Sequence, residues 1–324
     1  MRRPAAASSF LAALAGFGLL LTGCGSQSSQ TQQAGQGINV VASTNVYGDI
    51  ARTIGGDKVK VTSIINNAAQ DPHSYEATAQ DRLAVSKAQL IIENGGGYDG
   101  FLHTLVESSK AGDASVLTAV DISGLANPGE SAAGPSAAGT ATAEAHDHGD
   151  INEHVWYSLP AMERVADSIS AKLSALDPGS AAAFSANTES FKSSLAGLQS
   201  KLDSVKAAAA NGKVAVTEPV PLYLLQDAGL VNATPGQYTA AIEEGSDVPP
   251  AVMKEATDLV ASGSVRFLAY NAQTEGQQTE ALKKAAEGAG VPVVDFTETL
   301  PEGKTYLQWM ADNVNNISKV LETK

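Results

Sequence analysis

Four side chains far apart in the chain, His73, His154, Glu218 and Glu298, each stand where a strand or loop gives way to turn-forming sequence. Two imidazoles and two carboxylates make the donor set of a divalent transition-metal site. Neutral imidazole suits zinc, copper, nickel or iron better than calcium or magnesium, and the carboxylates balance the ion's charge. Nothing in the set is redox-active. Four protein donors close a tetrahedral shell, or a larger one if a carboxylate binds through both oxygens, whereas a catalytic zinc keeps a position open for water. The set therefore points to a metal-binding protein and away from an enzyme.

The two histidines sit in distinctive segments. Asp71-Pro72-His73-Ser74-Tyr75-Glu76 follows a strand pattern ending at Ile65 and precedes a helical one opening near Thr78. A histidine on such a proline-stiffened loop, at the carboxyl end of a parallel strand, lies where α/β folds bind ligands. Asn152-Glu153-His154-Val155-Trp156 again leads into a helix. Trp156 reads as core, and beside His154 it would exclude water and strengthen nearby charge interactions. His103, in a helical segment with no partner motif, reads as a surface residue.

The elements that must position these donors follow from apolar periodicity. Short apolar runs at 38–43, 59–65, 90–93 and 116–120 alternate with helical segments at 78–87 and 101–109, the pattern of parallel βα units. Pro160 suits the first turn of a helix that Asp177-Pro178-Gly179 stops near Leu176. Residues 181–210 carry Phe184, Phe191, Leu195, Leu198, Leu202 and Val205 at helical spacing with no proline. At about 1.5 Å per residue this helix spans roughly 45 Å, enough to bridge two lobes. Beyond Asn211-Gly212 the alternation resumes, with strands at 213–217, 265–270 and 291–296 and helices at 222–228, 250–261, 279–287 and 305–321. The length suffices for two lobes, each with its own core.

Arg2 and Arg3 precede an apolar run at 10–21 that is short for a membrane span and reads as an export signal. Leu21-Thr22-Gly23-Cys24 resembles a bacterial lipobox, with lipid carried on Cys24 after residues 1–23 are removed. Cys24 is the single cysteine, so a disulfide within the chain is excluded. Residues 24–37, rich in Gly, Ser and Gln, form a flexible tether. Loss of Arg2 and Arg3 takes Lys+Arg from 21 to 19 against 35 Asp+Glu, so the formal charge passes from -14 to -16. Such acidity argues against nucleic acid and leaves the acyl chains to hold the protein at the membrane. Residues 127–150 are a low-complexity insertion ending in His146-Asp147-His148-Gly149-Asp150.

Taken together, the lipobox, the Asp-Pro-His-Ser-Tyr-Glu and Glu-His-Val-Trp segments, the His-bearing loop and the long helix resemble the zinc/manganese solute-binding lipoproteins of bacterial ABC importers, the ZnuA/TroA-like, cluster A-I group. The resemblance covers nearly the whole chain after the signal. It implies an α/β fold with two βα-sandwich lobes of parallel sheets joined by one long rigid helix, and a metal site in the interlobe cleft with two ligands from each lobe. The implied division is an N-terminal lobe at 38–179, a linking helix at 180–211 and a C-terminal lobe at 212–324. His73 and His154 match the first two ligands. Glu218, in Val216-Thr217-Glu218-Pro219, matches the third, which is commonly His in zinc importers and Glu in manganese importers. The fourth is an Asp in the family; here Glu298 stands at the position, one methylene longer, with Asp295 as competitor if the strand ends early.

The implied protein is a lipid-anchored, extracytoplasmic monomer that passes its ion to an ABC permease driven by its ATPase. His146 and His148 resemble a truncated auxiliary metal-capturing loop. Glu218 leans toward Mn2+ and the His-bearing loop toward Zn2+; the reading takes Zn2+, with Mn2+ as the close alternative. By the Irving-Williams order zinc outcompetes manganese at almost any such site, so affinity alone does not identify the cargo. A siderophore- or haem-type receptor would need an aromatic or Arg-lined cleft, against 5% aromatic residues here. A zinc hydrolase built on His146, His148 and Asp150 lacks the next histidine of that motif, Ile151 standing in its place. An adhesin role, a label sometimes attached to the family, has no independent support in the sequence.

Overall fold

The computed structural model describes residues 37–109, 114–125 and 151–322. The expected signal, tether, Cys24, His146 and His148 lie outside the described residues, apart from Gly37. The first half runs β1 (Ile38–Thr44), α1 (Asn45–Gly55), β2 (Val59–Ile65), α2 (Ala79–Val85), β3 (Leu90–Glu93), α3 (Gly100–Ser109), β4 (Ser115–Thr118), α4 (Ala119–Ser123) and α5 (Leu159–Leu176). The long helix α6 (Ala181–Ala209) follows. The second half runs β5 (Lys213–Val216), α7 (Leu222–Asp227), β6 (Val231–Asn232), α8 (Gly236–Glu243), α9 (Pro250–Ala261), β7 (Leu268–Asn271), α10 (Gln277–Gly288), β8 (Val293–Phe296) and α11 (Tyr306–Glu322).

Each half holds a four-stranded sheet, ordered β2-β1-β3-β4 and β6-β5-β7-β8, with all pairings parallel. Helices cover both faces, so a central strand such as β3, Leu-Ile-Ile-Glu, is buried throughout and reads as an unbroken run. In both sheets the strand order reverses beside the first strand, and ligands of such folds collect beyond the carboxyl ends there. His73 follows β2, Glu218 follows β5 and Glu298 follows β8.

The long helix keeps its expected apolar stripe: Phe184, Phe191, Leu195, Leu198, Leu202 and Val205 are all buried. It packs on α1 and α5 from the first half and on α7 and α11 from the second. One consequence departs from expectation. The inner faces of the two sheets do not form separate cores; Val40, Leu90, Trp156, Leu195, Leu202, Val214, Phe296 and Trp309 belong to one continuous apolar cluster. Two satellite clusters fill the outer faces, one under α2 and α3, the other under α8, α9 and α10. The stripe is buried along its length between elements of both halves.

Polar contacts reinforce the join. Asn45 Nδ2 donates to the Leu300 carbonyl at 3.2 Å while its Oδ1 accepts from the Leu300 N–H at 3.0 Å. Tyr157 donates to the Thr297 carbonyl and Tyr306 to the Trp156 carbonyl, each at 2.7 Å. Four elements, α1, α4, β6 and α8, were not expected from the sequence; α4, β6 and α8 are too short to show a period, whereas α1 is amphipathic and buries Val46, Tyr47, Ile50, Ala51 and Ile54.

With one core shared by both lobes, the protein is expected to unfold in a single transition. Leu202→Ala should lower its stability by about 2–5 kcal/mol, the usual cost of truncating a buried leucine. Urea denaturation followed by near- and far-ultraviolet circular dichroism checks this, and two separated transitions would contradict the shared core.

Candidate metal centre

The His73 loop is organised by Asp71, whose carboxylate accepts from the His73 N–H at 3.0 Å and from the Ser74 hydroxyl at 2.8 Å. Downstream, Thr78 and Asp81 form a capping box that starts α2 and anchors the loop's far end. The His73 side chain stays partly open, and its Nε2 lies 3.1 Å from Glu153 Oε1.

His154 is almost wholly buried. Its Nδ1 lies 2.7 Å from Asn152 Oδ1, which also accepts the His154 backbone N–H at 3.1 Å. An Nδ1–H donated to Asn152 leaves Nε2 as the lone-pair nitrogen, the arrangement that orients a ligating imidazole. Asn152 is itself held by the other lobe, through Nδ2 to the Pro219 carbonyl at 3.0 Å and through its own carbonyl to the Tyr223 hydroxyl at 2.8 Å.

Glu218 and Glu298 share one donor. Asn271 Nδ2, at the end of β7, donates to Glu218 Oε2 at 2.6 Å and to Glu298 Oε1 at 2.7 Å, and Thr274 adds its hydroxyl to Glu218. The two carboxylates thus stand side by side. Two like charges about 5 Å apart repel by roughly 3 kcal/mol at an effective dielectric of about 20. Glu298 also accepts from the Tyr98 hydroxyl at 3.3 Å. Asp295 is not its rival in space: it is exposed on β8 and lines a separate small depression.

Tyr98 joins the lobes. Its ring lies edge-on to His73 at 5.1 Å, 5.8 Å from His154 and 4.7 Å from Trp156. It is delivered by the turn after β3, where Gly95, Gly96 and Gly97 all take positive φ and Asp99 accepts the N–H groups of Asn94 and Gly95. Asn271, Tyr98 and Asn152 escaped sequence reasoning. The run Asn94-Gly95-Gly96-Gly97-Tyr98 directly after a strand was the available signal for one of them.

These side chains border one cleft of about 740 Å³, lined by the carboxylates of Asp71, Glu218, Glu243, Glu244, Asp247, Glu275 and Glu298 and by no lysine or arginine. His73, Glu218 and Glu298 line it directly, with His154 behind them. The tightest donor group among the described residues is a different one: Glu153, His154 and Glu243, whose ligand atoms all lie within 4.8 Å of one another. Glu153, beside His154, and Glu243, at the end of the unexpected α8, are acids that sequence reasoning did not place among the donors. His103 is exposed and lies beside Glu107, its Nε2 3.4 Å from Oε1.

Burial without a counter-cation shifts the titrations. It pushes Glu153 up to about 8, helped by the charges of Glu243, Glu298 and Asp99. Burial raises Glu218 to about 7 against the hydrogen bonds of Thr274 and Asn271. Burial and then the Glu218 charge raise Glu298 to about 7, and burial and then the Glu298 charge do the same for Glu243. Burial, then the neighbouring His73, holds His154 down to about 3, so its ring is neutral at physiological pH. A cleft of this kind holds protons until a cation replaces them.

Comparison with known proteins agrees with this architecture. The profile of the ZnuA family, described as zinc-uptake complex component A, periplasmic, matches residues 40–320. The manganese ABC transporter substrate-binding lipoprotein scaA of Streptococcus gordonii is 25% identical over 317 residues, covering 93% of this chain and 94% of the relative. The manganese-binding lipoprotein MntA of Bacillus subtilis is 29% identical over 177 residues, 54% of this chain and 52% of that one. The fold is similar to that of the Pseudomonas aeruginosa protein FpvC in complex with Mn2+, at a TM-score of 0.70 and 20% identity over 89% of this chain and 99% of the other. It is likewise similar to a crystal structure of ZnuA, at 0.68 and 19% over the same shares.

The raised carboxylates fix a pH dependence. Each binds a proton more tightly folded than unfolded, so its stabilisation is complete below the ordinary value of 4.5 and is lost as pH rises through about 7 to 8. His154 acts oppositely, but only below its ordinary 6.5. Between pH 6.5 and 8.5 the carboxylates alone decide the sign. Metal-free protein should melt at a lower temperature at pH 8.5 than at 6.5, with a shallower slope in Glu298→Gln. Calorimetric scans across that range test it, and a midpoint rising with pH would refute it.

Gln273 gives a second test. Its Oε1 accepts the N–H groups of Glu298 at 2.6 Å and Thr299 at 2.9 Å, while its Nε2 reaches the Ala68 carbonyl in the His73 loop at 3.0 Å. Gln273→Ala leaves those donors without an acceptor, at a cost of about 1–3 kcal/mol. Amide hydrogen exchange should accelerate at Glu298 and Thr299 more than in the rest of the fold, and the global melting temperature should fall by several degrees.

Proposed function

Because the chain belongs to the ZnuA family of periplasmic zinc-uptake components, we propose that it is the metal-binding subunit of a bacterial ABC importer, holding a divalent transition-metal ion as cargo in the cleft between its lobes. What supports this reading is that His73, from the first half, and Glu218 and Glu298, from the second, line one cleft whose lining holds no lysine or arginine, with the buried His154 behind them. His73 and His154 supply nitrogen from the first lobe, residues 38–179; Glu218 and Glu298 supply oxygen from the second, residues 212–324. Helix α6 with its flanks, residues 180–211, joins them. Members of this family serve transport, and four protein donors suit carriage of an ion in place of catalysis upon it.

Both Zn2+ and Mn2+ fit these donors. The two carboxylates support Mn2+ as transported cargo, as do the manganese-named relatives, and Zn2+ remains the tighter competitor by the Irving-Williams order. Export and lipid attachment at Cys24 would keep the protein on the extracytoplasmic face of the membrane, where a permease and its ATPase receive the ion. The shared core and the Asn45–Leu300 pair favour release by displacement of the loop bearing His73 over a wide swing of the lobes.

Metal analysis and calorimetric titration of tag-free protein with Mn2+ and Zn2+ test the assignment. One ion per chain is expected, with affinity falling at least a hundredfold in His73→Ala, Glu218→Ala and Glu298→Ala. Unchanged stoichiometry and affinity in all three would refute the interlobe site.

A further inference from the structure

Gln273 stands just beyond Asn271 at the end of β7, and its side-chain amide faces two ways. Its Oε1 accepts the N–H groups of Glu298 at 2.6 Å and Thr299 at 2.9 Å and the Thr299 hydroxyl at 3.3 Å, all within the second lobe. Its Nε2 donates across the join to the Ala68 carbonyl at 3.0 Å. The Gln273 N–H in turn donates to Asn271 Oδ1 at 3.0 Å. The amide that holds Glu218 and Glu298 is thereby fixed to the residue that reaches the His73 loop.

The loop is shaped to present that carbonyl. Ala68 and Ala69 are the centre of a turn closed by the Gln70 N–H on the Asn67 carbonyl at 3.3 Å. Gln70 Oε1 accepts from the Asn66 N–H at 3.2 Å and from Asn67 Nδ2 at 2.8 Å, and Asn67 Oδ1 accepts the Ala69 N–H at 3.0 Å. Residues 66–69 are exposed, and Asn66, Asn67 and Ala68 border a cavity of about 570 Å³ that reaches to 300–304. The stretch leading from β2 to His73 therefore has room to move, and Gln273 fastens it to the second lobe. The other three donors are buried, with Asn152 beside His154 and Asn271 on both glutamates.

We propose that Gln273 is a positioning residue for the bound ion, acting through the His73 loop, and that its hydrogen bond to Ala68 sets how long the ion stays. This rests on the interlobe reading above and adds to it the contact that governs release. An ion held by donors from both halves departs when one donor withdraws, and His73, on the exposed loop, is the one able to do so. Parting Nε2 from Ala68 unfastens that loop while Oε1 continues to hold Glu298 in place. Gln273 acts on departure more than on entry, because a loose loop admits the ion as readily as a fastened one.

The test loads full-length protein with Mn2+ and follows its release into excess chelator by stopped flow. Gln273→Ala should speed dissociation about 2- to 10-fold, the range that one neutral hydrogen bond spans, with the association rate little changed. Asn67 makes its side-chain hydrogen bonds within its own turn, so Asn67→Ala disturbs the carbonyl's presentation without touching Glu298. It should speed dissociation too, and the double variant should release no faster than Gln273→Ala, since the two act on one contact. In a His73→Ala background, Gln273→Ala should have much less effect than in wild type. Dissociation at the wild-type rate in Gln273→Ala, multiplying effects in the double variant, or an effect undiminished by His73→Ala would each overturn the positioning role. If His73→Ala held Mn2+ as wild type does, the interlobe site itself would fall, and with it the premise of this role. Circular dichroism of each variant confirms that the comparison is between folded proteins.

Discussion

The Asn271 side-chain amide holds two carboxylates that repel one another, and much of the molecule is arranged around that pair. Neither Glu218 nor Glu298 has a lysine or arginine beside it in the cleft, so neutral donors orient them, Asn271 shared by both, Thr274 on Glu218 and Tyr98 on Glu298. Hydrogen bonds offset part of the desolvation of a carboxylate but cannot cancel its charge. What remains is a strong local field that protons or a divalent ion can satisfy. Selectivity for cations over anions follows directly from this, and so does the coupling of any bound ion to the protonation of the cleft.

Such a site needs a scaffold that resists collapse and expansion. Here that scaffold is a core common to both sheets, into which α6 sends one stripe of aromatic and aliphatic side chains. Each fully buried side chain of that size contributes roughly 1.5–3 kcal/mol. Hydrogen bonds across the join, from Tyr157 to Thr297, Tyr306 to Trp156 and Asn152 to Pro219, lie close to the donors. Their placement keeps His154 and Glu298 at fixed separation while the more exposed His73 loop is left freer to move. Rigidity on three sides and mobility on one is what reversible carriage of a tightly held ion requires.

The alternation of apolar runs with helical patterns was enough to read the parallel sheets, because a doubly covered strand must be apolar throughout and an amphipathic helix cannot be. Strand 59–65 and helix 250–261 have the bounds the pattern implied. The short α8 did not reveal itself: Pro235 and Gly236 at its start and Glu243-Glu244-Gly245 at its end read as loop chemistry, and its helicity comes from packing Tyr238 and Ala241 under the second sheet. Glu243 therefore remained invisible as a donor. Asp295 and Glu298 were inseparable for a related reason. A shift of one strand residue exchanges the buried and exposed faces, and only the pairing of β8 with β7 decides which face each residue takes.

Residue chemistry and spacing by themselves determined that this chain has paired βα lobes, a long bridging helix, and histidines and carboxylates suited to a transition metal. Those properties are local, written in periodicity and in side-chain type. The tertiary structure alone decided that the lobes share one core, that Tyr98 and Asn271 tie the donors together, and that Glu298 faces the cleft while Asp295 faces solvent. Each of these depends on contacts between residues far apart in the chain, and no pattern confined to one segment records which distant surface that segment will meet.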